Sequence, residues 1–351
     1  MGKRALVIGG GIGGLAAAAG LVRGGWEVRV CERAAEPSRA GTGLGIWPQA
    51  VRALDDLGLG EGFRAKARRQ APGSLYRPDG TRLATIDTGR IERRAGRAVS
   101  LIPRADLLDL LHSSLPEGTV EFSAEVTGFP SLATGYDVAI GADGISSRVR
   151  TDLFGPRYGL RHAGTFAWRG VVDLELDAGG ETWDPGGKFG FVPLPGGRTN
   201  WYATRRVPEG FTPSADALAE LTAQFGTWHD PIPRVLERAA GEEILAHPLY
   251  YLDPPLPSYV RENVALLGDA AHAMVPDLGQ GACQALIDGL VLGECLTAAA
   301  DPRAALVRYD HLRRKPSQRV AALGLRVAAI SYARRFTRLR DTLVKTASAL
   351  M

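Results

Sequence analysis

The first chemistry in this chain rests on glycines and an acid. Ala5 to Ile8 form a short apolar run, Gly9, Gly11 and Gly14 hold a GxGxxG spacing, and Leu15 to Ala19 continue as an alanine-rich stretch. The pattern predicts a buried strand, a turn containing Gly13, and a helix. The first glycine of such a turn permits the reversal, the second lets backbone approach a pyrophosphate, and the third lets helix pack on strand. The free N–H groups at the helix start offer an anion its partners. A second strand, Val28 to Cys31, ends at Glu32-Arg33. An acid about twenty residues beyond the turn accepts hydrogen bonds from an adenosine ribose.

Two later strands end in the same way. Tyr136 to Ala142 leads into Asp143-Gly144 and the helix start Ser146 to Arg150. Val264 to Leu267 leads into Gly268-Asp269, then Pro276-Asp277-Leu278-Gly279-Gln280-Gly281 and a long helix from Ala282 to Ala299. Acids at C-terminal strand ends lie on the edge where doubly wound sheets bind ligands. A second glycine-rich loop, Gly41 to Pro48, includes Gly45 and could let backbone lie against a flat ring. Arg104 opens a helix carrying Leu107, Leu108 and Leu111, where a cation opposes the helix dipole. Such a residue suits a phosphate or a ribityl oxygen.

Between these motifs the pattern turns to strands. Ser74 to Ile86 reads as a hairpin about Pro78-Asp79-Gly80. Phe166 to Leu176, Phe189 to Leu194 and Asn200 to Arg205 follow, with Gly196-Gly197 as a further turn. Trp168, Trp183, Phe189, Phe191, Trp201 and Tyr202 would form either a core or an aromatic lid over a planar ligand. Near the C-terminus one helix is expected to end over Tyr309 to Arg314. The next carries Val320, Leu323, Val327 and Ile330 as an apolar packing stripe.

The 351 residues allow about two domains. With 45% apolar and 23% charged residues, the composition is that of an ordinary globular protein and excludes disordered, collagenous and coiled-coil classes. Cys31, Cys283 and Cys295 form no close pair and His272 has no ligand spacing around it, so metal and disulfide scaffolds find no support. Lys3-Arg4 and the apolar stretch to Val22 imitate a signal peptide, but the glycines that interrupt it have a functional spacing. No integral membrane segment and a cytoplasmic location are expected. From Asp301 onward twelve Lys or Arg face three Asp or Glu, a net +9, leaving −5 for the rest of a chain whose formal charge is +4. That tail is expected to be a packed helix with a solvated face, without nucleic-acid binding.

These motifs, in this order, make the chain resemble the FAD-dependent aromatic hydroxylases of the p-hydroxybenzoate hydroxylase type. The likeness runs over nearly the whole length and includes Arg104-x-x-Leu107, the helix after Pro48 and the late Arg340-Asp341 pair. It implies an α/β fold: a Rossmann-like FAD-binding domain with an inserted mixed β-sheet substrate domain and C-terminal helices. The expected division is 1–71, 98–158 and 262–300 for FAD, 72–97 and 159–261 for substrate, and 301–351 for the helices. Gly9, Gly11, Gly13, Gly14, Glu32 and Arg33 would hold the ADP half, Arg104 the FAD chain and Asp269 the ribityl chain. Gly45, Pro276, Gly279, Gln280 and Gly281 would lie beside the flavin ring. Asp143 would serve both FAD and NAD(P)H.

The activity implied is hydroxylation or epoxidation of an aromatic or polycyclic small molecule, as in natural-product biosynthesis. NADPH or NADH would reduce FAD as a transient co-substrate, and O2 would react through a flavin peroxy adduct. Arg169, in Trp168-Arg169-Gly170, is the candidate catalytic cation. Ala273, Cys283 and Ile287-Asp288-Gly289 depart from the family's frequent proline, asparagine and Glu-Asp-Ala. The rival reading is a related flavoenzyme without oxygen insertion, a reductase, cyclase or halogenase. The Trp-x-Trp-x-Ile motif of the halogenases is absent.

Overall fold

The computed structural model describes residues 2–37, 42–127, 133–333 and 341. A six-stranded sheet has the order Val260–Arg261, Val264–Leu266, Val138–Gly141, Arg4–Ile8, Glu27–Cys31 and Val120–Glu121. Its strands are parallel apart from the antiparallel pair at Val260–Arg261. Ala5 to Ile8 and Val138 to Gly141 are buried throughout, because a parallel strand covered on both faces needs a continuous apolar run. The register Val7↔Val30 and Val7↔Ile140 aligns the strand ends. Glu32, the Gly9 to Gly14 turn, Asp143 and Asp269 therefore follow one another along a single edge.

The helices Ile12–Arg23 and Gly281–Ala298 pack on each other through small residues. A Cβ at Gly289 would lie 2.7 Å from the Ala17 nitrogen, and one at Gly293 would lie 3.1 Å from the Gly20 Cα. This close crossing accounts for glycine where the family pattern has alanine. By length and composition the Gly281–Ala298 helix could cross a membrane, but half of it is buried inside the protein and it reads as a core helix.

The second sheet has seven strands in the order Leu245–Asp253, Gly159–Val172, Thr199–Arg206, Gly187–Pro193, Gly180–Asp184, Gly73–Tyr76 and Arg82–Ile86. It is mixed, since Gly180–Asp184 runs parallel to Gly73–Tyr76 while the other pairs are antiparallel. A three-stranded sheet of Gly43–Ile46, Ser100–Pro103 and Arg68–Arg69 completes the set.

One open choice is decided and two expectations need correction. Of core and lid, Phe166, Trp168, Phe189, Phe191 and Trp201 take the core, with the helices Ala217–Phe225 and Ile232–Arg238. Strand alternation puts them on the face turned toward those helices, and polar residues occupy the other face. The expected pair of C-terminal helices is one helix, Pro302–Ser331, with Pro316 inside it. It continues past the proline because Gln318 donates to the Leu256 carbonyl, Arg313 to Asp288, and Ser317 back to the Arg313 carbonyl. Its buried face is made of Leu306, Tyr309, Arg313, Ser317 and Gly324, so the expected stripe is not the packing face: Leu323 and Ile330 are 49% and 47% exposed. A Cβ at Gly324 would already touch Val275, so small residues bring the helix close where bulky ones could not.

Candidate functional site

The edge of the parallel sheet opens into a cleft lined by Gly10, Gly11, Leu15, Glu32, Ala34, Arg104, Leu108 and His112, with Phe122 at one wall. Gly9 has φ +109°, and a Cβ there would lie 2.3 Å from the Ala142 carbonyl oxygen. At Gly14 a Cβ would lie 2.0 Å from the Gly9 oxygen, and at Gly13 it would meet Leu267 and Ala285. These glycines let the turn close on itself. Gly11 differs, because a Cβ on it would meet no protein atom within 4 Å. No side chain caps the helix that follows. Gly11, Ile12 and Gly13 thus present N–H groups without a protein acceptor among the described residues, as a helix start that can receive an anion does.

Glu32 closes the other side. Its Oε2 accepts from the Gly10 N–H at 2.7 Å and its Oε1 from the Ala34 N–H at 2.9 Å, so both oxygens are fixed at the rim. Arg104 enters from its helix start, held by its own N–H to the Thr42 carbonyl at 3.0 Å. Burial lowers the pKa of its guanidinium, and the negative charge of Glu32 opposes that shift. The cleft therefore pairs a carboxylate acceptor with a guanidinium donor. Arg33 is exposed and does not line it.

Asp143 stands in the row of strand ends but is engaged locally. Its carboxylate accepts from Ser147 Oγ at 2.5 Å and from the backbone N–H groups of Arg148 and Val149 at 2.8 and 3.2 Å. It thereby holds Ser147, the residue that caps the Arg148–Phe154 helix by accepting from the Arg150 N–H. That helix delivers Arg150, 3% exposed, whose guanidinium donates to the carbonyls of Ile145, Tyr158, Asp269 and Ala270. A buried arginine thereby ties the second strand end to the third.

The third strand end is fixed from below. Asp288 accepts from the Gly268 N–H at 2.9 Å, from His272 Nε2 at 2.5 Å and from Arg313 Nε at 2.6 Å, all buried. A carboxylate only accepts, so Nε2 carries the imidazole proton. Burial acts to raise the Asp288 carboxyl, but its contacts with His272, Arg313 and the Gly268 N–H hold it below its ordinary pKa. Above this support Asp269 is exposed at its strand end, outside the residues that line the cleft. Desolvation raises the pKa of its carboxyl, against the influence of His272 and the Arg150 guanidinium.

The turn Pro276–Leu278 and Gly279, with φ +60°, lead to a second bare helix start. Gln280 makes no side-chain cap, and a Cβ on Gly281 would meet nothing within 4 Å. Cys283 donates from Sγ to the Gly45 carbonyl at 3.4 Å and accepts from the Trp47 N–H at 3.5 Å, which pins the Gly43 to Trp47 segment beside this turn. Burial pushes the Cys283 thiol up to about 11, so it stays protonated.

The seven-stranded sheet meets this turn with its polar face. The registers Arg169↔Tyr202↔Gly190↔Glu181 and Ala167↔Thr204↔Lys188↔Trp183 place these residues on one face. Asn200, on the same face, accepts from the Gly43 N–H at 2.8 Å. Lys188 is ion-paired with Asp277 of the turn and lies 3.9 Å from Glu181 and 4.7 Å from the centre of the Tyr332 ring. Tyr202 donates its hydroxyl to Glu181 at 2.7 Å, and its ring lies over Gly190, where a Cβ would come within 2.2 Å of it. Arg169 lies on this face too. Sequence reasoning missed Lys188 and Glu181, for which strand alternation opposite a glycine was the only signal, and named Tyr202 only among the rings of a core or a lid. Asp341 of the expected late pair is buried against Arg77, and Arg340 lies outside the described residues.

A family profile described as "FAD binding domain" matches residues 3–138 and 255–323. The aurachin C monooxygenase/isomerase of Stigmatella aurantiaca is 34% identical over 348 residues, covering 94% of this chain and 90% of that one. The 3-amino-4-hydroxybenzoate 2-monooxygenase of Streptomyces cremeus is 35% identical over 332 residues, covering 88% and 83%. Among solved structures, HpxO of Klebsiella pneumoniae complexed with FAD and uric acid superposes with a TM-score of 0.87 at 24% identity, covering 97% of this chain and 92% of that one. Profile, identity and fold agree with the two bare helix starts and the Glu32 rim: the chain belongs to the FAD-dependent aromatic monooxygenases.

Proposed function

We propose that this enzyme uses NADPH or NADH and O2 to hydroxylate or epoxidise an aromatic or polycyclic small molecule, in the manner of natural-product tailoring enzymes. The observation that carries the reading is the cradle at Gly11, open beneath unpartnered helix N–H groups and flanked by Glu32 and Arg104. FAD bound there supplies the redox chemistry and activates oxygen. The substrate class follows the names of the relatives, a monooxygenase/isomerase for aurachin C and a monooxygenase for an aminohydroxybenzoate.

In this reading 1–71, 98–158 and 262–300 hold the cofactor, 72–97 and 159–261 the substrate, and 301–351 brace both. Gly9, Gly11, Gly13 and Gly14 shape the diphosphate site, Glu32 orients the ribose and Arg104 neutralises phosphate. Asp269 accepts from the ribityl hydroxyls. Backbone N–H groups from Gly279 to Gly281 stabilise charge on the reduced ring, and the polar sheet face orients substrate and excludes water. Asp143 acts by positioning, through its hold on Ser147 and the first N–H groups of the helix. The three thiols, all free and buried, accord with a cytosolic enzyme.

The test is purification with flavin absorbance, followed by NADPH and NADH oxidation with and without candidate aromatics, and product mass. Stimulated oxidation with a product one oxygen atom heavier is expected. A flavin-free protein that binds no added FAD, or a flavoprotein that turns substrate over without O2, would exclude it.

A further inference from the structure

Two residues expected to pack, Leu323 and Ile330, face outward on the Pro302–Ser331 helix, and Leu312 joins them: the three are 49%, 47% and 43% exposed. At roughly 3.6 residues per turn, Leu323 and Ile330 follow Leu312 by about three and about five whole turns, so the three stand in one row. Arg319 and Arg326 follow Leu312 by about two and about four turns and fall in the same row, with Arg308 and Lys315 beside it. All four cations are exposed. Of the other basic residues here, Arg313 and Arg314 are paired with Asp288 and Asp310, whereas among the described residues no carboxylate pairs with Arg308, Lys315, Arg319 or Arg326.

Apolar side chains left in water and cations left without counter-charge, set alternately along one line, call for a partner that is both apolar and anionic. A second copy of the chain meets only half of this. A two-fold contact along the row would bring the arginines of the two copies together, and like charges oppose it. A nucleic acid would use the cations and leave the apolar row wet. An anionic bilayer answers both, because its acyl boundary takes leucine and isoleucine while its phosphates take the cations. The sequence beyond the helix keeps the same sign, with Arg334, Arg335, Arg338, Arg340 and Lys345 against Asp341 alone.

We infer that this helix face is a docking surface for an anionic lipid membrane. The helix lies in the headgroup plane, with Leu312, Leu323 and Ile330 at the acyl boundary and Arg308, Lys315, Arg319 and Arg326 at lipid phosphates. The arginine stems run beside the apolar side chains, so their guanidinium groups can reach back to the phosphates. The contact is peripheral and reversible, since the other side of the helix is the one that packs on the protein through Leu306, Tyr309, Ser317 and Gly324. The row ends beside the polar sheet face. Tyr332, just past Ile330, donates its hydroxyl to Thr204 Oγ1 at 2.5 Å, and its ring centre lies 4.7 Å from Lys188 Nζ.

The test is sedimentation of the FAD-loaded enzyme with vesicles of phosphatidylcholine alone and of phosphatidylcholine with about one third phosphatidylglycerol. The anionic vesicles are expected to bind at least tenfold more tightly, and raised salt to weaken that binding. L323N/I330N and R319Q/R326Q should each weaken it tenfold or more while keeping FAD and the wild-type melting temperature, because all four positions are exposed. No binding to the anionic vesicles, equal binding to both compositions, or undiminished binding by L323N/I330N would overturn the proposal; the last would leave a charge-only surface of the kind a nucleic acid or an acidic protein uses. A dimer in sedimentation velocity that L323N/I330N dissolves would give the row to a second copy and overturn it equally. The wild-type comparison of the two vesicle compositions stands even if a variant fails to fold, and none of these readouts depends on turnover.

Discussion

Lys188 of the seven-stranded sheet and Asp277 of the Pro276–Leu278 turn form a buried ion pair, their side chains 5% and 6% exposed. The pair joins the face that would meet substrate to the turn that would meet the flavin. Burial alone would lower the pKa of the Lys188 ammonium; Glu181, Asp277 and Tyr332 together raise it, so the lysine stays charged.

Removing one partner leaves the other charge buried without compensation. K188M should therefore lose about 3–5 kcal/mol of unfolding free energy, and the K188M/D277L double variant should recover much of it with an apolar contact. The double variant should still show a changed flavin spectrum and less product per NAD(P)H oxidised, because the turn has lost its anchor. Urea unfolding of the FAD-loaded protein measures the first effect and product stoichiometry the second. A loss in K188M of under about 1 kcal/mol, the size of an exposed pair, would mean that the contact holds nothing in place.

Glu32 performs two tasks at once, holding the N–H groups of Gly10 and Ala34 while facing the cleft. E32A should weaken FAD by about 1.5–3 kcal/mol through lost charge-assisted bonds. That corresponds to roughly 10- to 150-fold in dissociation constant. E32Q keeps one acceptor oxygen and should fall between. Titration of apoprotein with FAD decides it, and unchanged affinity in E32A would remove the ribose role.

The edge of strand ends was legible in the sequence because its requirements are local. A tight turn needs glycine at Gly9 and Gly14, and a parallel strand needs an unbroken apolar run before Glu32 and Asp269. The polar sheet face was not legible, because alternation tells which residues share a face but not which face meets the other domain. Trp168 and Trp201 suited a core more readily than a lid, and the two helices that cover them make them core. Arg150 showed only as a charge near a helix start; its four carbonyl partners come from segments as distant as Asp269 and Ala270. The C-terminal stripe misled because the packing surface there selects small residues, Ser317 and Gly324, over bulky ones.

Asp288 gives the fold an acid-sensitive support. Its carboxyl titrates below the ordinary 3.8 in the folded protein, so the unfolded chain binds the proton more readily. The stability it contributes is present in full above that ordinary value and is lost as pH falls through the depressed one. D288N should be less stable than wild type at neutral pH and should lose less on further acidification. Thermal melts of apoprotein across that acid range measure it. Parallel acid limbs in the two proteins would show that another carboxylate governs the loss.

Gly11 and Gly14 should separate cofactor binding from folding. A Cβ at Gly14 would fall 2.0 Å from a backbone oxygen of Gly9, which cannot move without opening the turn. G14A should cost about 1–3 kcal/mol of stability by overpacking and lose FAD as a consequence. A Cβ at Gly11 meets no protein atom, and the residue's φ of −77° suits alanine. The stability of the G11A apoprotein should therefore stay within about 1 kcal/mol of wild type, where weaker helix capping is offset by a less flexible unfolded chain. Its methyl group would occupy the approach to the helix N–H groups, so FAD affinity should fall by tenfold or more. Denaturant unfolding of the two apoproteins, set beside FAD titrations, gives the comparison. If G11A binds FAD like wild type, the cofactor's diphosphate does not sit on this helix, and the assignment of the cleft to FAD fails with it.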